Sequence, residues 1–268
     1  MRRLLFLFMI ILIAYTAKGQ IAGVSNDKLI VVNPASIGIR TVEFEPGFGY
    51  LWTKYSYNNE GKLVPLSPQK DSIQILQALG FRFTYGFAKN FEIGAFVTSS
   101  LNAFSLGVKY AFVNHDQFTA GTFLGTNFSN ESDFTFRNTG IFGKTAAIVG
   151  GFAFMHRFGE SKKLSIDYDV QYQNTFDTKT SYSDDIFASA EIGYEFKEST
   201  FQIATGLNYR YNNYKNGDPT SWGLTWNTGI MIHSGKMFNL IVNIPIDIAG
   251  KNTGRYNGFQ IVLTITLD

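Results

Sequence analysis

Two neighbouring segments in the second half of the chain alternate between apolar and polar residues. The first covers residues 164–173 and the second covers residues 186–196. Successive side chains of a β-strand point to opposite faces, so each segment has one apolar face and one face with ionisable groups. A soluble sheet with its apolar face inward gives the same pattern. Here the alternation continues through most of the chain after residue 40, which favours a transmembrane barrel.

The chain after residue 40 divides into about twelve such segments, and bacterial single-chain barrels have an even number of strands. The segments are residues 42–57, 73–85, 91–98, 104–112, 118–127, 146–158, 164–174, 186–196, 201–211, 222–232, 238–248 and 258–267. Connections after the even-numbered segments are short and most of the others are long, as expected for periplasmic turns and external loops. Pro245 removes one ladder donor from the eleventh segment, so we expect a local bulge there. The pattern predicts an all-β fold: a transmembrane antiparallel up-and-down β-barrel over residues 41–268.

The composition also favours a membrane barrel. Charged residues make up 16% of the chain, against roughly 25% in soluble domains. The mean hydropathy of −0.02 argues against a helical membrane bundle and fits alternating strands. The alternative is a soluble lipocalin-like barrel, which has eight strands and an exterior dense in Lys and Glu. The polar faces here consist mainly of Gly, Ser, Thr, Asn and Gln. The chain has no cysteine, which excludes a disulfide framework and a thiolate metal site.

Residues 1–19 have the features of a secretory signal peptide. Arg2 and Arg3 precede an apolar run over residues 4–14, which is shorter than the roughly 20 residues of a spanning helix. The small residues Ala17 and Gly19 form a cleavage site. Cleavage removes three of the positive charges behind the formal total of +2, so the basic pI is no sign of nucleic-acid binding. Residues 20–40 are irregular and predict a periplasmic N-terminal segment or a plug in the lumen.

If the apolar faces point to lipid, the charged residues of the strands line the lumen. They are Glu43, Glu45, Arg82, Glu92, Lys109, Asp167, Asp169, Glu191, Glu195, Arg210 and Asp247. This set is mildly acidic, and a pore wall of this kind favours cations or polar solutes because rings of charge select by sign. A closed interior is the equally weighted alternative, since buried charges must pair.

Residues suited to catalysis or metal binding are sparse. His115, His156 and His233 lack metal-ligand spacing, so we expect neither a metal nor another cofactor. A barrel lipid hydrolase needs His and Ser side chains together on the lipid side. His156 is in the apolar phase of its segment and Ser165 is in the polar phase of the next. Hydrolysis is therefore the least favoured function, and we expect that the protein is not an enzyme.

One stretch resembles a known family of outer-membrane proteins. Residues 81–94 read FRFTYGFAKNFEIG, and residues 105–112 read SLGVKYAF. The order of an arginine-bearing strand, a short turn, a Glu-x-Gly strand and a Gly-x-Lys-Tyr strand is similar to that in the phenol meta-pathway degradation (MetA-like) transporter family. The resemblance implies uptake of small, hydrophobic solutes through a barrel of this layout. It implies no particular binding residue.

The sequence thus predicts a monomeric barrel in the outer membrane of a Gram-negative bacterium. It would act as a passive channel or transporter for small solutes, including hydrophobic or aromatic ones, and residues 20–40 or the external loops would gate it. The alternative is a non-conducting structural or interaction barrel with a filled lumen. In that case loops such as residues 58–71 would dock a surface or secretion-system partner.

Overall fold

A computed structural model of the protein describes residues 23–66, 73–101, 103–131, 143–159, 161–177, 182–196, 200–214, 219–235 and 237–267. The predicted signal peptide lies outside these ranges. The described residues form thirteen strands. They are β1 (Val42–Tyr57), β2 (Leu63–Pro65), β3 (Gln74–Ala88), β4 (Phe91–Thr98), β5 (Ala103–Asn114), β6 (Phe118–Glu131), β7 (Gly143–Phe158), β8 (Leu164–Asp177), β9 (Tyr182–Phe196), β10 (Phe201–Tyr214), β11 (Ser221–Ser234), β12 (Phe238–Lys251) and β13 (Thr253–Leu267).

The strands close into an antiparallel barrel. From β3 to β13 each strand pairs with the next along the chain, β1 pairs with β3, and β13 returns to pair with β1 over its whole length. Among the described strands, the short β2 pairs only with the end of β1, at Tyr55 to Tyr57. Twelve of the described strands therefore make up the wall, which confirms the predicted fold.

The predicted strand positions agree closely with the observed ones. The first and third segments have the bounds of β1 and β4. The other barrel strands extend their segments by up to five residues, as in β13, except that β3 begins one residue after its segment. The bulge predicted at Pro245 is wrong, because Pro245 stays in register opposite Asn227. Proline has no backbone N–H, and the missing donor faces β13. There, pairing between β12 and β13 is interrupted between Asn243 and Ile246. The register shift lies nearby, opposite Leu224 and Thr225.

The two faces of the wall differ in the way the alternation predicts. On β5, the outward side chains of Leu106, Val108 and Tyr110 are 37–42% exposed, while the inward Lys109 and Ala111 are at most 1% exposed. The same outward apolar band surrounds the barrel. A closed barrel has every backbone group paired and no free edge, which is the requirement for spanning a bilayer with strands.

The ends of the barrel differ in their connections. The start of β1 and the end of β13 meet at the end with tight turns, where Val42 pairs with Leu267. We call this the short-turn end, the periplasmic end in barrels of this type, and the opposite one the loop end. Lys162 Nζ donates to Asp116 Oδ2 at 2.6 Å between two of the tight turns, and this hydrogen bond lowers the pKa of Asp116. Among the described residues, no helix has the length and apolar character needed to cross a bilayer.

A pair of neighbouring lysine substitutions tests which face meets lipid. Leu207 lies halfway along β10 and is 45% exposed on the outer face, and Asn208 is half-buried on the inner face. We expect Leu207→Lys to destabilise the folded barrel by about 2–4 kcal/mol, the cost of a lysine on the lipid face at mid-membrane. Asn208→Lys is expected to cost much less. Urea unfolding in lipid vesicles measures both, and equal costs would contradict the assignment of the faces.

Candidate functional site

The N-terminal segment comprises residues 23–41; residues 23–37 lie inside the barrel, and residues 38–40 are exposed. Val24, Val31 and Val32 are at most 2% exposed. The segment contacts the inward faces of strands from β4 round to β12, so it extends across the lumen. It joins β1 at the short-turn end, so it enters the barrel from that end.

One wall of the lumen holds the segment through Glu92 and Lys109. The Glu92 carboxylate accepts hydrogen bonds from Ser25 N at 2.8 Å, from Ser25 Oγ at 2.9 Å and from Ile37 N at 2.9 Å. Lys109 Nζ lies 3.2 Å from Glu92 Oε1 and donates to Ser25 Oγ at 2.7 Å and to the Asn33 carbonyl at 2.9 Å. Both ends of the 25–37 stretch are therefore tied to one buried ion pair.

The part of the wall formed by β8 and β9 holds the middle of this stretch. Lys28 Nζ lies 3.1 Å from Asp167 Oδ2. The amide of Ile30 donates to Glu191 Oε2 at 2.9 Å, and the amide of Val32 donates to Asp169 Oδ2 at 2.8 Å. The wall carboxylates thus supply the acceptors that an irregular buried backbone needs.

Apolar contacts fill the space between these polar anchors. Leu29, Ile30 and Val31 form a cluster with inward residues of β10, β11 and β12, namely Ala204, Met231 and Ile241. Val24 and Val32 form a second cluster with Phe123 and Ala153. Inward apolar residues are unusual in a lumen that carries only water, and here they give the segment a surface on which to pack.

Three inward glycines allow the segment backbone to touch the wall. A side chain at Gly94 would collide with the Gly23 carbonyl, one at Gly86 with the Gly38 carbonyl, and one at Gly121 with the Pro34 carbonyl. The wall thus approaches the segment more closely at these points than a residue with a Cβ atom would allow.

A second polar group lies in the half of the lumen nearer the loop end. Asp247 accepts from Thr225 Oγ1 at 2.5 Å and from the Tyr256 amide at 2.9 Å, and it lies 3.6 Å from Arg210 NH2. Arg210 also donates to Thr253 Oγ1 at 3.1 Å. Asp247 lies at the register shift between β11 and β12.

The structure places the sequence-predicted charged residues on the inner face and sorts them into groups. Arg82 NH1 lies 2.7 Å from Glu45 Oε2 near the short-turn end, beside the half-buried Glu43. Glu195 is half-buried at the end of β9. The other seven belong to the groups already described: Glu92 with Lys109, Asp167 and Asp169 with Glu191, and Arg210 with Asp247. That these residues line a conducting pore stays a prediction.

Several inward residues of the site were not singled out from the sequence. Gln171 donates to Asp169 Oδ1 at 2.9 Å, and Gln173 lies among Thr175, Ser183 and Asp185. The alternation could have placed Gln171 and Gln173 on the inner face. Asp185 lies one residue before the predicted start of its strand, so the pattern did not reach it.

The architecture matches solved structures of outer-membrane proteins. The chain is similar to the COG4313 outer membrane channel from Pseudomonas putida F1, with a TM-score of 0.64 and 12% identity over 88% of this chain and 98% of that one. It is also similar to the KdgM porin in complex with disordered oligogalacturonate, with a TM-score of 0.50 and 11% identity over 85% of this chain and 99% of that one. The fold is that of an outer-membrane barrel. No protein-family model matches the chain, and a search of curated proteins found no similar sequence.

Within this barrel, the residues considered for hydrolysis lie on opposite faces. His156 is exposed on the outside, where it stacks on Phe158 with ring centroids 4.4 Å apart. Ser165 is 5% exposed on the inside and donates to Asp167. The two side chains therefore cannot act on one substrate. In the described part of the chain, no group of His, Asp and Glu residues is arranged to hold a metal ion.

Proposed function

We propose that this protein is a passive channel or transporter for small solutes in the outer membrane of a Gram-negative bacterium, with residues 20–40 as its plug. The observation that carries the proposal is the N-terminal segment inside the lumen. It is held by hydrogen bonds and ion pairs to the wall, which can exchange for water, and it is joined to the wall covalently only through β1. A barrel whose only task was to be filled could use side chains alone, as small barrels do.

We further propose that hydrophobic or aromatic solutes are among the cargo. The inner face carries apolar side chains in both halves of the barrel. Phe123, Val149 and Met155 lie on β6 and β7, and Leu51 and Leu76 cluster nearer the loop end. Such a wall supplies favourable contacts to an apolar solute. The resemblance of residues 81–94 and 105–112 to the MetA-like transporter family supports the same class of cargo.

Single-channel recording in planar bilayers tests the proposal. The purified mature chain is expected to give stepwise openings, and an aromatic solute added to one side is expected to reduce the current by occupying the lumen. Stepwise openings that an aromatic solute leaves unchanged would contradict the proposed cargo while supporting the channel.

The non-conducting interaction barrel remains the second candidate, because one observation favours it. Inward charges are paired and buried at both ends of the lumen, as in Glu92 with Lys109 and Asp247 with Arg210. Electrical silence of the mature chain, together with a partner that binds through the 58–71 loop, would favour this candidate over the channel.

A further inference from the structure

The contact between the N-terminal segment and β8–β9 contains an acidic pair with one cation. Asp167 and Glu191 are cross-strand register partners on the inner face, and each is at most 1% exposed. Such partners have Cβ atoms about 4.5–5.5 Å apart, which brings two carboxyl groups within reach of each other. Lys28 is bonded to one of them, with its Nζ atom 3.1 Å from Asp167 Oδ2.

Each carboxyl group has one oxygen that accepts hydrogen bonds and one oxygen without a hydrogen-bond partner, and the Glu191 carboxylate also lies beside the Val31 amide. Asp167 Oδ2 accepts from Lys28 Nζ and from Ser165 Oγ at 3.0 Å, and Glu191 Oε2 accepts from the Ile30 amide. In the described part of the chain, Asp167 Oδ1 and Glu191 Oε1 are buried without a hydrogen-bond partner. An unsatisfied buried polar group costs about 1–3 kcal/mol, and a charged one costs more.

We propose that Glu191 carries one proton on its free oxygen and donates it in a hydrogen bond to the free oxygen of Asp167, and that this proton keeps the N-terminal segment in place. A single proton gives both oxygens a hydrogen-bond partner and leaves the contacts to Lys28, Ser165 and Ile30 intact. It reduces the charge of the pair from two negative charges to one, which Lys28 balances. Two carboxylates in contact at a buried site cannot both ionise readily. The two oxygens are sealed from solvent, which suits a proton better than a hydrated metal ion.

The surroundings of the pair contain few other groups that titrate. Asp169 on β8 has donors at both oxygens, from Val32 N and Gln171 Nε2. Asp27 on the segment accepts from Asn33 Nδ2 at 2.6 Å. On the flanking strands the register partners of the pair are uncharged: Met155 on β7 and Gly206 on β10.

The direction of the pH effect follows from the charges. With the proton bound, the pair and Lys28 are neutral in sum. When alkaline pH removes the proton, Lys28 balances only one of the two buried negative charges, and the second is hydrated only when the segment leaves. The contribution of the proton to holding the segment is therefore present at lower pH and is lost as the pH rises. We expect the segment to leave the lumen more often in alkaline buffer.

Cysteine labelling in lipid vesicles measures this motion. The chain has no cysteine, so Val31→Cys introduces a single thiol at a position that is 0% exposed. The reference is Leu101→Cys, at a residue that is 78% exposed in a connection between strands. Dividing the maleimide labelling rate of Val31→Cys by that of Leu101→Cys removes the intrinsic pH dependence of the thiol. We expect this ratio to rise several-fold from mildly acidic to mildly alkaline buffer.

Two further variants separate the acidic pair from its neighbour. Glu191→Gln places an amide donor permanently beside Asp167, so in that background the ratio is expected to lose its pH dependence. Asp169→Asn is the matched control, on the same strand as Asp167, and is expected to keep the pH dependence. If Val31→Cys disturbs the packing, hydrogen exchange at the Ile30 amide, corrected for its intrinsic rate, reports the same opening.

Three outcomes would overturn the shared proton. They are a ratio that is flat with pH in the unmodified background, a pH dependence that survives Glu191→Gln, and a ratio that follows sodium or potassium concentration at fixed pH. This inference rests on the proposed function in one respect: the effect that release of the segment has on transport. Cysteine labelling does not require the barrel to conduct ions. A barrel that gives no current but has a pH-dependent labelling ratio would therefore contradict the proposed channel and still support the proton site.

Discussion

A variant that lacks residues 24–37 is expected to carry several times more current per channel than the full mature chain. These residues contact the barrel wall from Glu92 on β4 round to Glu191 on β9. Their removal leaves the wall closed, because the wall pairs strand to strand all the way round without them. The vacated space admits water, which hydrates the carboxylates that held the segment. Single-channel steps in planar bilayers give the comparison directly.

A point substitution tests the same idea with the segment still present. Gly94→Val places a side chain where the Gly23 carbonyl lies, and overpacking of this kind costs roughly 1–3 kcal/mol. We expect it to displace the segment and to raise the conductance. Gly49→Val is the matched control, since a Cβ atom there meets only the Gln260 Cγ atom at 3.8 Å. Equal conductance of the deletion variant and the full chain would mean that the segment does not block the route of the ions.

The wall could be predicted from the sequence because each barrel strand carries its own evidence. Alternation of apolar and polar residues can be read from one strand without knowing its partner. It correctly predicts that Glu92 and Lys109 lie on the inner face. The alternation is weakest where the strands approach the loops, and there the predicted bounds fell short, as at the start of β9, where Asp185 was missed. The bulge predicted at Pro245 is wrong because a missing N–H donor interrupts the hydrogen bonds to one neighbouring strand without shifting the register.

The contents of the lumen could not be predicted in the same way. The segment is held largely by its backbone: Ser25, Ile30 and Val32 donate their amides to wall carboxylates. Hydrogen bonds from backbone amides do not depend on the residue type, so the sequence left both a periplasmic segment and a plug open. The glycines Gly86 and Gly94 were visible in the sequence, but their meaning depends on which backbone approaches them. The pairing of Lys28 with Asp167 joins residues 139 positions apart and has no local signal.

Replacement of Lys109 by methionine is expected to destabilise the folded protein by about 3–5 kcal/mol, the cost of leaving one partner of a buried ion pair alone. The Lys109 side chain is 1% exposed, and the carboxylate of Glu92 beside it is fully buried. Methionine fills much of the same volume, so the loss comes mainly from the charge and from the hydrogen bonds to Ser25 and Asn33. Urea unfolding of the refolded barrel in lipid vesicles measures the change.

The double variant Lys109→Met with Glu92→Gln separates the charge from the packing. A glutamine at position 92 keeps one carbonyl oxygen, which can accept from the Ser25 amide or from the Ile37 amide, and it carries no charge that needs a partner. We therefore expect the double variant to recover a large part of the lost stability, since replacing both partners of a buried pair costs much less than removing one. If Lys109→Met alone unfolds at the same urea concentration as the unmodified protein, water must reach Glu92. The segment would then sit loosely in a wet lumen.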